Sequence, residues 1–197
     1  MADIVLTGNT SGTITVAAPA VAGTNTLTLP ATTGNIVTTG DSSTITQGMI
    51  GSNVAGTGPS FKAIMSAVTA ISNTGSTKLV LDTEEWDTNS NYDSATNYRF
   101  TPTVAGYYSL SGSMFMSTAT TARVGVAIYK NGSEHAWQFT AGVSSSGGAN
   151  PQVSTIVYAN GSTDYFELYA AQNYTSSVNT STNSILTWFS GALVRSA

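Results

Sequence analysis

Charged side chains are scarce in this sequence. Asp, Glu, Lys and Arg make up 8% of the 197 residues, against roughly 25% in an average globular protein. Ser, Thr, Asn and Gly replace them, while the hydrophobic fraction of 41% is ordinary. Because such a chain can pair strands and approach identical copies of itself with little charge repulsion, the composition predicts an all-β and fibrous protein.

Further absences exclude whole classes of function. The chain has no cysteine, which excludes a disulfide scaffold and thiol chemistry. Its net charge is -4 and its six basic residues are scattered, so it lacks the basic footprint that nucleic acids require. No apolar run reaches the roughly 18 residues of a membrane span, and the first residues do not resemble a secretory signal. We expect a protein that is made in a cytoplasm, does not insert into membranes and assembles into a larger structure.

Aromatic residues are absent from the first 58 positions. Short alternating segments recur there, at residues 4–6, 13–16, 26–29 and 36–38, separated by Gly, Pro, Asn or Thr; this pattern is typical of strands and turns. The large apolar side chains are too few for a core of their own. We predict that residues 1–41 form an extended β segment that packs as a prism with two sister chains, with a disordered Gly/Thr linker as the alternative.

Residues 42–60 are rich in Gly and Ser, which indicates a connector, and from residue 61 the aromatics return. Asn-Gly pairs at Asn131–Gly132 and Asn160–Gly161 favour two-residue hairpin turns. Together with the strand pattern, they predict an antiparallel β-sandwich or jelly roll over residues 61–197. The predicted strands are residues 61–68, 77–82, 98–103, 106–117, 123–130, 135–140, 152–158, 164–171 and 185–195.

One motif of residues 61–197, which we call the head, resembles part of a known family. Phe100, five residues, Gly106, one residue and Tyr108 are similar to the core signature of the complement component one-q head, a tumour-necrosis-factor-like jelly roll. YDSAT, VAIYKNG and WFSGALV resemble other segments of that family, although Leu110 and Gly112 stand where it has aromatic residues. The resemblance implies a trimeric head. The side chains expected in its core or trimer contact are Phe100, Tyr108, Leu110 and Phe189.

The front of the chain is similar to another module. SGTITVAAPAVAGTNTLTLPATTGNIV resembles a short segment of tailed-bacteriophage fibres and other virion proteins, which often precedes a connector and a jelly-roll head. The two resemblances imply a homotrimeric virion fibre that binds other virion proteins through residues 1–41. Its head is expected to attach to the host surface by binding a glycan or another receptor. The alternative is a head fibre or capsid decoration (cement) protein that stabilises the shell.

The connections between the predicted strands alternate in length. By strand parity, the long loops at residues 118–122, 143–151 and 172–184 lie at one end of the sandwich and the tight turns at the other. Polar loops on a rigid scaffold are where binding usually resides, although such loops can also merely cap a sandwich. The candidate receptor-binding residues are Tyr174, Asn173, Asn179, Ser145 and Asn150 in these loops, together with Trp86.

Half of the acidic residues lie in the segment LDTEEWDTNSNYD. Paired carboxylates can hydrolyse glycosides, and we weigh that activity as a minor alternative. The single histidine, His135, follows Glu134, whose side chain points to the opposite face of a strand and so cannot orient the imidazole. We therefore predict no catalysis and no catalytic residue. Asp87, Asn89 and Asn91 alternate as calcium ligands often do, so this segment is either a Ca2+ site or a solvated acidic loop; no other cofactor is expected.

Overall fold

A computed structural model describes residues 4–7, 10–16, 21, 24, 58–117, 122–141 and 147–197. The chain divides into two compact units, residues 1–54 and 55–197. In the first unit, Ile4–Thr7 (β1) pairs antiparallel with Thr13–Val16 (β2), so both of these predicted strands are confirmed. The strands predicted at residues 26–29 and 36–38, the prism around them and most of the connector lie outside the described residues.

The described part of the second unit consists of β-strands and the turns between them. Within the described residues, no helix is long and apolar enough to cross a membrane. The strands are Ser60–Ile64 (β3), Ala70–Ile71 (β4), Ser76–Lys78 (β5), Thr83–Asp87 (β6), Tyr92–Asp93 (β7), Arg99–Phe100 (β8), Gly106–Ser113 (β9), Arg123–Lys130 (β10), Ser133–Ala141 (β11), Gln152–Ala159 (β12), Phe166–Gln172 (β13), Val178–Asn179 (β14) and Trp188–Ser196 (β15).

These strands form two antiparallel sheets. The first sheet has the order β12-β9-β15-β3-β6, and the second has the order β11-β10-β13-β8-β7, with β5 also paired to β13. A small ribbon joins β14 and β4. After the β10–β11 hairpin, the chain passes from the second sheet to the first at β12 and back again at β13. This alternation is that of a jelly roll, and the predicted all-β jelly-roll class is confirmed.

Aromatic rings from both sheets meet in the core. The Phe61 ring stacks on Phe100 with 4.3 Å between centroids and on Tyr92 at 5.1 Å, and it meets Phe189 edge to face at 5.0 Å. Phe100 in turn contacts Tyr108 edge to face at 5.6 Å. Phe61, Phe100, Tyr108 and Phe189 are fully buried. Because Phe61 and Phe189 lie in the first sheet and Tyr92 and Phe100 in the second, this cluster joins the two layers.

The residues that depart from the complement one-q signature also face the core. Leu110 is fully buried, and Gly112, two residues further along β9, leaves room for the Leu168 side chain of β13. A Cβ atom at Gly112 would overlap that side chain. The space that an aromatic residue would occupy from the first sheet is therefore filled by a leucine from the second, and the core stays closed.

Several predicted strands are confirmed with shifted ends, but two need correction. The strand predicted at residues 77–82 is right for Thr77 and Lys78 of β5 and wrong beyond them, because the chain crosses after Leu79 from the second sheet to the first, which it enters at Thr83. Leu79 and Leu81 are buried on this crossing, so their alternation indicates core packing and not pairing in one sheet. In the strand predicted at residues 98–103, pairing is confined to Arg99–Phe100, since Pro102 has no N–H to donate.

The two Asn-Gly pairs behave differently. Asn131 and Gly132 have φ values of 54° and 75°, as a type I′ turn requires, and they join the paired strands β10 and β11. The hairpin predicted at Asn160–Gly161 is wrong, because β12 and β13 belong to different sheets. Instead, the Asn160 Oδ1 accepts hydrogen bonds from the backbone N–H groups of Ser162, Thr163 and Asp164 at 2.9–3.0 Å and so shapes a wider crossing turn.

The buried position of Tyr108 gives a stability prediction. Replacing Tyr108 with Ala should lower the free energy of unfolding of the head by about 3–5 kcal/mol, since a large ring leaves a cavity. Tyr108→Phe keeps the ring and removes only the hydroxyl, which donates to the Val104 carbonyl at 2.7 Å, so its loss should be about 1 kcal/mol. Denaturant unfolding measures both values. Equal, small losses in the two variants would contradict the core described here.

Candidate functional site

The long connections meet at one end of the sandwich, which we call the loop end: residues 114–117, 122, 147–151 and 173–187 of the described chain. Met116 exchanges backbone hydrogen bonds with Ala149 at 2.8 and 2.9 Å and forms a bridge to Thr180. The Ser181 N–H donates to the Phe115 carbonyl at 2.9 Å. One backbone segment thus contacts both other loops, so the described residues of the three connections share an end, while residues 118–121 and 142–146 lie outside the described chain.

Side-chain hydrogen bonds also hold the loop end in place. The Asn150 amide donates to the Ser113 hydroxyl and to the Leu186 carbonyl, both at 3.0 Å. The Asn173 Oδ1 accepts from the Arg123 N–H at 2.6 Å, and the Asn173 N–H donates back to the Arg123 carbonyl. The bonds to Ser113 of β9 and Arg123 of β10 hold the loop residues against the ends of these strands, and the bond from Asn150 to Leu186 links two connections.

The loop after β13 is also pinned by pairing. Its residues Val178–Asn179 form β14, which pairs with Ala70–Ile71, and the Gln172 amide donates to the Ile71 and Ser176 carbonyls. The long loop predicted at residues 172–184 therefore contains a short paired strand. The amide of a buried Gln and a strand from a distant part of the chain hold it, and neither has a local sequence signal.

The structure brings together four of the six predicted receptor-binding residues. Asn173 and Asn179 are exposed at the loop end, Tyr174 is half-buried beside them, and Asn150 lies there as a bracing residue. Ser145 lies outside the described residues. Trp86 is elsewhere, on the edge strand β6 of the first sheet, with 47% of its surface exposed.

Sequence reasoning missed one residue of this end. The strand predicted from residue 185 begins only at Trp188, because Leu186 and Thr187 donate their N–H groups to the Asn183 carbonyl and form a turn. Ile185 consequently projects from the loop end with 75% of its surface exposed. The turn-forming run of Asn and Ser before it is the only local signal that separates it from the strand.

The opposite end holds the two Asn-Gly turns and the C-terminal residue Ala197. Asn131 of the hairpin exchanges hydrogen bonds with Tyr165, and its amide donates to the Asp164 carboxylate at 2.7 Å. Ala197 donates its N–H to the Ala105 carbonyl. Hydrogen bonds from Asn131, Lys130 and Asn160 outweigh the effect of burial and hold the pKa of Asp164 below its ordinary value. The loop end therefore lies away from the C-terminus of the head.

A second surface with functional features is the outer side of the first sheet, which we call the open face. The register places Ser154, Ser111, Ser190, Lys62 and Trp86 in one row across it. The next row is Ile156, Ser109, Ala192 and Ser60, and the third contains Tyr158, Tyr107 and Arg195. Small side chains thus occupy the middle of the face, and large ones stand at both sides.

The middle of the open face forms a shallow groove of about 290 Å³. Trp86 stands on one side of it, and the Lys62 ammonium lies 5.9 Å from the centre of the Trp86 ring and 2.7 Å from the Glu85 carboxylate. The lining residues are Ser60, Phe61, Trp86, Ser109, Ser111, Ser190, Gly191 and Ala192.

The acidic segment holds each of its carboxylates in separate contacts. Its five carboxylates accept hydrogen bonds or ion pairs from different neighbours, among them Ser66, Lys62, Ser94, Tyr92 and Thr96. In the described residues, no three of the His, Asp and Glu side chains are grouped to hold a metal. The acidic-loop interpretation is wrong for residues 83–87, which form the edge strand β6.

The candidate calcium ligands follow β6. The Asp87 carboxylate accepts from the Asn89 and Tyr92 N–H groups at 3.2 and 2.6 Å, and the Asn91 Oδ1 accepts from the Thr103 N–H at 3.2 Å. These oxygens stabilise a turn in which Ser90 has a φ of 52°. A calcium ion would have to compete with these donors, so the Ca2+ site stays a prediction.

His135 is exposed near the hairpin turn, and the adjacent Glu134 carboxylate accepts from the Tyr129 hydroxyl at 3.1 Å. The Glu134 carboxylate is therefore engaged with the neighbouring strand. In the described part of the chain, His135 makes no contact with a nucleophile for which it could act as a base. That His135 has no catalytic role stays a prediction.

Comparisons with known proteins show the fold of the head. No protein-family model matches the chain, and no curated protein does. Among solved structures, murine APRIL at pH 5.0 is 8% identical over 70% of this chain and 99% of its own, with a TM-score of 0.56. Eiger TNF from S. frugiperda is 6% identical over 71% and 92%, with a TM-score of 0.53. The PRD1 vertex protein P5 is 13% identical over 72% and 100%, with a TM-score of 0.52.

At these identities the likeness concerns the fold alone, and that fold is the tumour-necrosis-factor-like jelly roll implied by the motif around Phe100 and Tyr108. The matches cover about the length of the head. The resemblance of the front segment to bacteriophage fibre modules stays a prediction.

The acidic segment yields a prediction on pH. The N–H of Thr96 and the amide of Asn97 donate to the Asp93 carboxylate and lower its pKa from 3.8 to about 2. A carboxylate whose pKa is lower in the folded state stabilises it above the unfolded pKa and loses that effect as the pH falls through the folded pKa. The head should therefore lose stability between about pH 4 and pH 2, and Asp93→Asn should reduce this loss.

Thermal melts at a series of pH values measure this dependence. Asn97→Ala is the matched variant. Removing this donor should raise the pKa of Asp93 and so narrow the pH range over which stability is lost, without removing the carboxylate. Identical pH profiles in the unaltered chain and the Asp93→Asn variant would show that this carboxylate contributes nothing to stability.

Proposed function

We propose that this chain is a homotrimeric structural protein of a bacteriophage virion, and that its jelly-roll head attaches the particle to the host surface through the loop end. The observation that carries the proposal is the loop end itself. Three connections are braced there by Met116, Asn150 and Asn173. Strand β3 runs from Ser60 towards Trp188 at the loop end, so the chain enters the head at the opposite end. A rigid end that lies away from the entry of the chain is suited to contact with another surface.

The side chains at the loop end favour a polar ligand with apolar faces, such as a glycan. Tyr174 offers a ring, Asn179 is an exposed amide donor and acceptor, and Ile185 adds an exposed apolar group. Sugar rings present C–H faces to aromatic groups and hydroxyls to amides.

Self-association follows from composition and from the open face. Trp86, Tyr107, Ile156, Tyr158 and Val194 are large apolar residues of the first sheet with 42–64% of their surfaces exposed. Monomeric proteins rarely expose so many apolar groups on one face. Closed symmetric assemblies of identical chains bury such faces, and the complement one-q resemblance implies three copies.

We propose that the chain has no catalytic role. Tyr174→Ala tests attachment through the loop end, and His135→Ala is both its control and the test for catalysis. Virions with Tyr174→Ala should adsorb to host cells about ten-fold more weakly or worse, because an aromatic anchor in a binding site contributes on the order of 2 kcal/mol. His135→Ala, at the opposite end of the head, should leave adsorption and host-surface degradation unchanged.

Adsorption rates and sedimentation of the purified trimers decide the outcome. Normal adsorption by Tyr174→Ala and by Ile185→Ser virions, with trimers intact, would contradict attachment through the loop end. A change in surface degradation caused by His135→Ala would contradict the absence of catalysis.

The second candidate function is a head fibre or capsid decoration protein. The likeness to the PRD1 vertex protein P5, with a TM-score of 0.52 to this chain, supports this second candidate. In that case, deleting residues 1–40 should lower the heat resistance of the capsid, and changes at the loop end should leave adsorption intact. Electron microscopy of labelled virions would place the protein on the tail or on the shell.

A further inference from the structure

Four aromatic rings form a continuous row on the outer side of the second sheet, and we call this row the aromatic strip. The Tyr169 ring of β13 stacks on Tyr129 of β10 with 3.9 Å between centroids, and Tyr129 meets Trp137 of β11 edge to face at 6.3 Å. Trp137 in turn stacks on Phe139 of the same strand at 4.8 Å. The strip crosses three neighbouring strands, which is about 10 Å, on the side of the sandwich opposite to the open face.

Strand β11 has its polar and apolar sides reversed. Gln138 pairs with the core residue Val126, so its side chain points to the inner side of the sheet. Trp137 and Phe139, before and after it, therefore point outwards. An antiparallel sheet with one wet face normally places apolar residues inside and polar residues outside. The reversal indicates that the outer side of β11 contacts another molecule.

Covering the sheet explains only part of this arrangement. A Cβ atom at Gly125 would overlap the Phe139 ring, and Ala127, the register partner of Trp137, is fully buried. The two rings thus screen small residues of β10 from water. Leucine side chains could do the same, because the burial of apolar surface has no directional requirement. A row of stacked rings therefore needs a further explanation.

An exposed cation extends the strip to the loop end. The Arg123 guanidinium carbon lies 3.6 Å from the centre of the Phe139 ring. In the part of the chain that the structure describes, Arg123 forms no ion pair. Its backbone exchanges hydrogen bonds with Asn173, the neighbour of Tyr174. A guanidinium stacked on a ring keeps its N–H edge free for a carboxylate, which it binds with two parallel hydrogen bonds.

We infer that the aromatic strip binds an acidic glycan, with sugar rings against Trp137 and Tyr169 and a sugar carboxylate on Arg123. This inference rests on the proposed attachment to a host glycan and adds the surface along which the glycan continues from the loop end. Tyr129, with 8% of its surface exposed, supports the two contact rings, and Phe139 holds the guanidinium. Trp137 and Tyr169 are half-buried and so keep surface for a sugar.

The size of the strip favours a sugar over a second protein. Three of its four rings are half-buried and the fourth is buried, so together they expose on the order of 200 Å² at most. A stable contact between proteins needs roughly 800 Å² on each partner. A sugar needs far less, because the C–H face of one ring can rest on one aromatic side chain while its hydroxyls stay in water.

Charge along the strip gives the bound glycan a direction. Glu134 accepts a hydrogen bond from the Tyr129 hydroxyl at 3.1 Å, and Glu167 pairs with Lys78. Both carboxylates belong to register neighbours of Tyr129, at the other end of β10 from Arg123. An acidic sugar is attracted by the free cation and not by these engaged carboxylates, so the acidic unit lies towards the loop end.

The experiment measures the binding of full-length trimers to polysaccharide extracted from the surface of host cells, before and after its carboxyl groups are chemically reduced to alcohols. Trp137→Leu keeps an apolar cover over β10 and removes the ring, so we expect it to raise the dissociation constant for the untreated polysaccharide about ten-fold. Arg123→Gln should raise it by a similar factor. On the reduced polysaccharide, Arg123→Gln should bind as the unaltered chain does, because no carboxylate remains for the guanidinium.

A second pair of a cation and a ring supplies matched controls. The Arg99 guanidinium carbon lies 4.3 Å from the centre of the Tyr165 ring, whose backbone N–H donates to Asn131 at the hairpin turn. Arg99→Gln and Tyr165→Leu make the same chemical changes away from the strip and should leave both dissociation constants unchanged. Sedimentation and denaturant unfolding check the trimer and the fold of every variant. If Trp137→Leu unfolds the head, Arg123→Gln decides the outcome, since that side chain is exposed.

The outcomes separate the strip from the loop end. Unchanged binding by Trp137→Leu and Arg123→Gln, with weaker binding by Tyr174→Ala, would overturn the strip and leave attachment through the loop end standing. Weaker binding by Trp137→Leu and Arg123→Gln, with normal binding by Tyr174→Ala, would support the strip and contradict the loop end. An equal loss by Arg123→Gln on untreated and reduced polysaccharide would overturn the acidic sugar. An unaltered trimer that binds no host polysaccharide would overturn both sites.

Discussion

The stacking of Phe61 between the two sheets is the contact on which the head depends. Its ring touches Tyr92 and Phe100 of the second sheet and Phe189 of the first. In a chain with 8% charged residues, the described part has only three ion pairs, so the apolar core must supply most of the stability of the head. Fixing the layers also fixes the strand ends, and hence the positions of the loops that each sheet carries.

Much of the fold could be predicted from local patterns, because a jelly roll is specified by alternation and turn residues. The motif of Phe100, Gly106 and Tyr108 identified the core strands, and the parity of long and short connections placed the loops at one end. The errors share one cause. Leu79 and Leu81 alternate like a strand and Asn160–Gly161 resembles a hairpin, yet both segments cross between sheets. Alternation reports which side chains face the core, and it does not report which strand is the neighbour.

The candidate site was less predictable, because long-range contacts hold it. The bridges of Met116 to Ala149 and Thr180 connect residues that are far apart in the sequence. The Asn150 amide donates hydrogen bonds to Ser113 and Leu186. Sequence reasoning therefore placed Asn150 correctly at the loop end but gave it a receptor contact where the structure gives it a bracing role. Ile185 was missed because a strand prediction covered it, and Trp86 was assigned to a loop although it stands on an edge strand.

The few charged side chains of the head lie where other groups of the same chain can pair with them. Asp82, Asp87 and Asp93 accept hydrogen bonds from the backbone of turns, and Lys78 and Lys130 pair with Glu167 and Asp164. Such charges are satisfied within the chain, so they impose no cost on a surface that is to be buried. The middle of the open face has Ser and Ala in their place, and a serine can be covered by another chain at far lower cost than an unpaired ion. A low-charge composition is therefore what a head of this size needs if one whole sheet face is to be shared with identical neighbours.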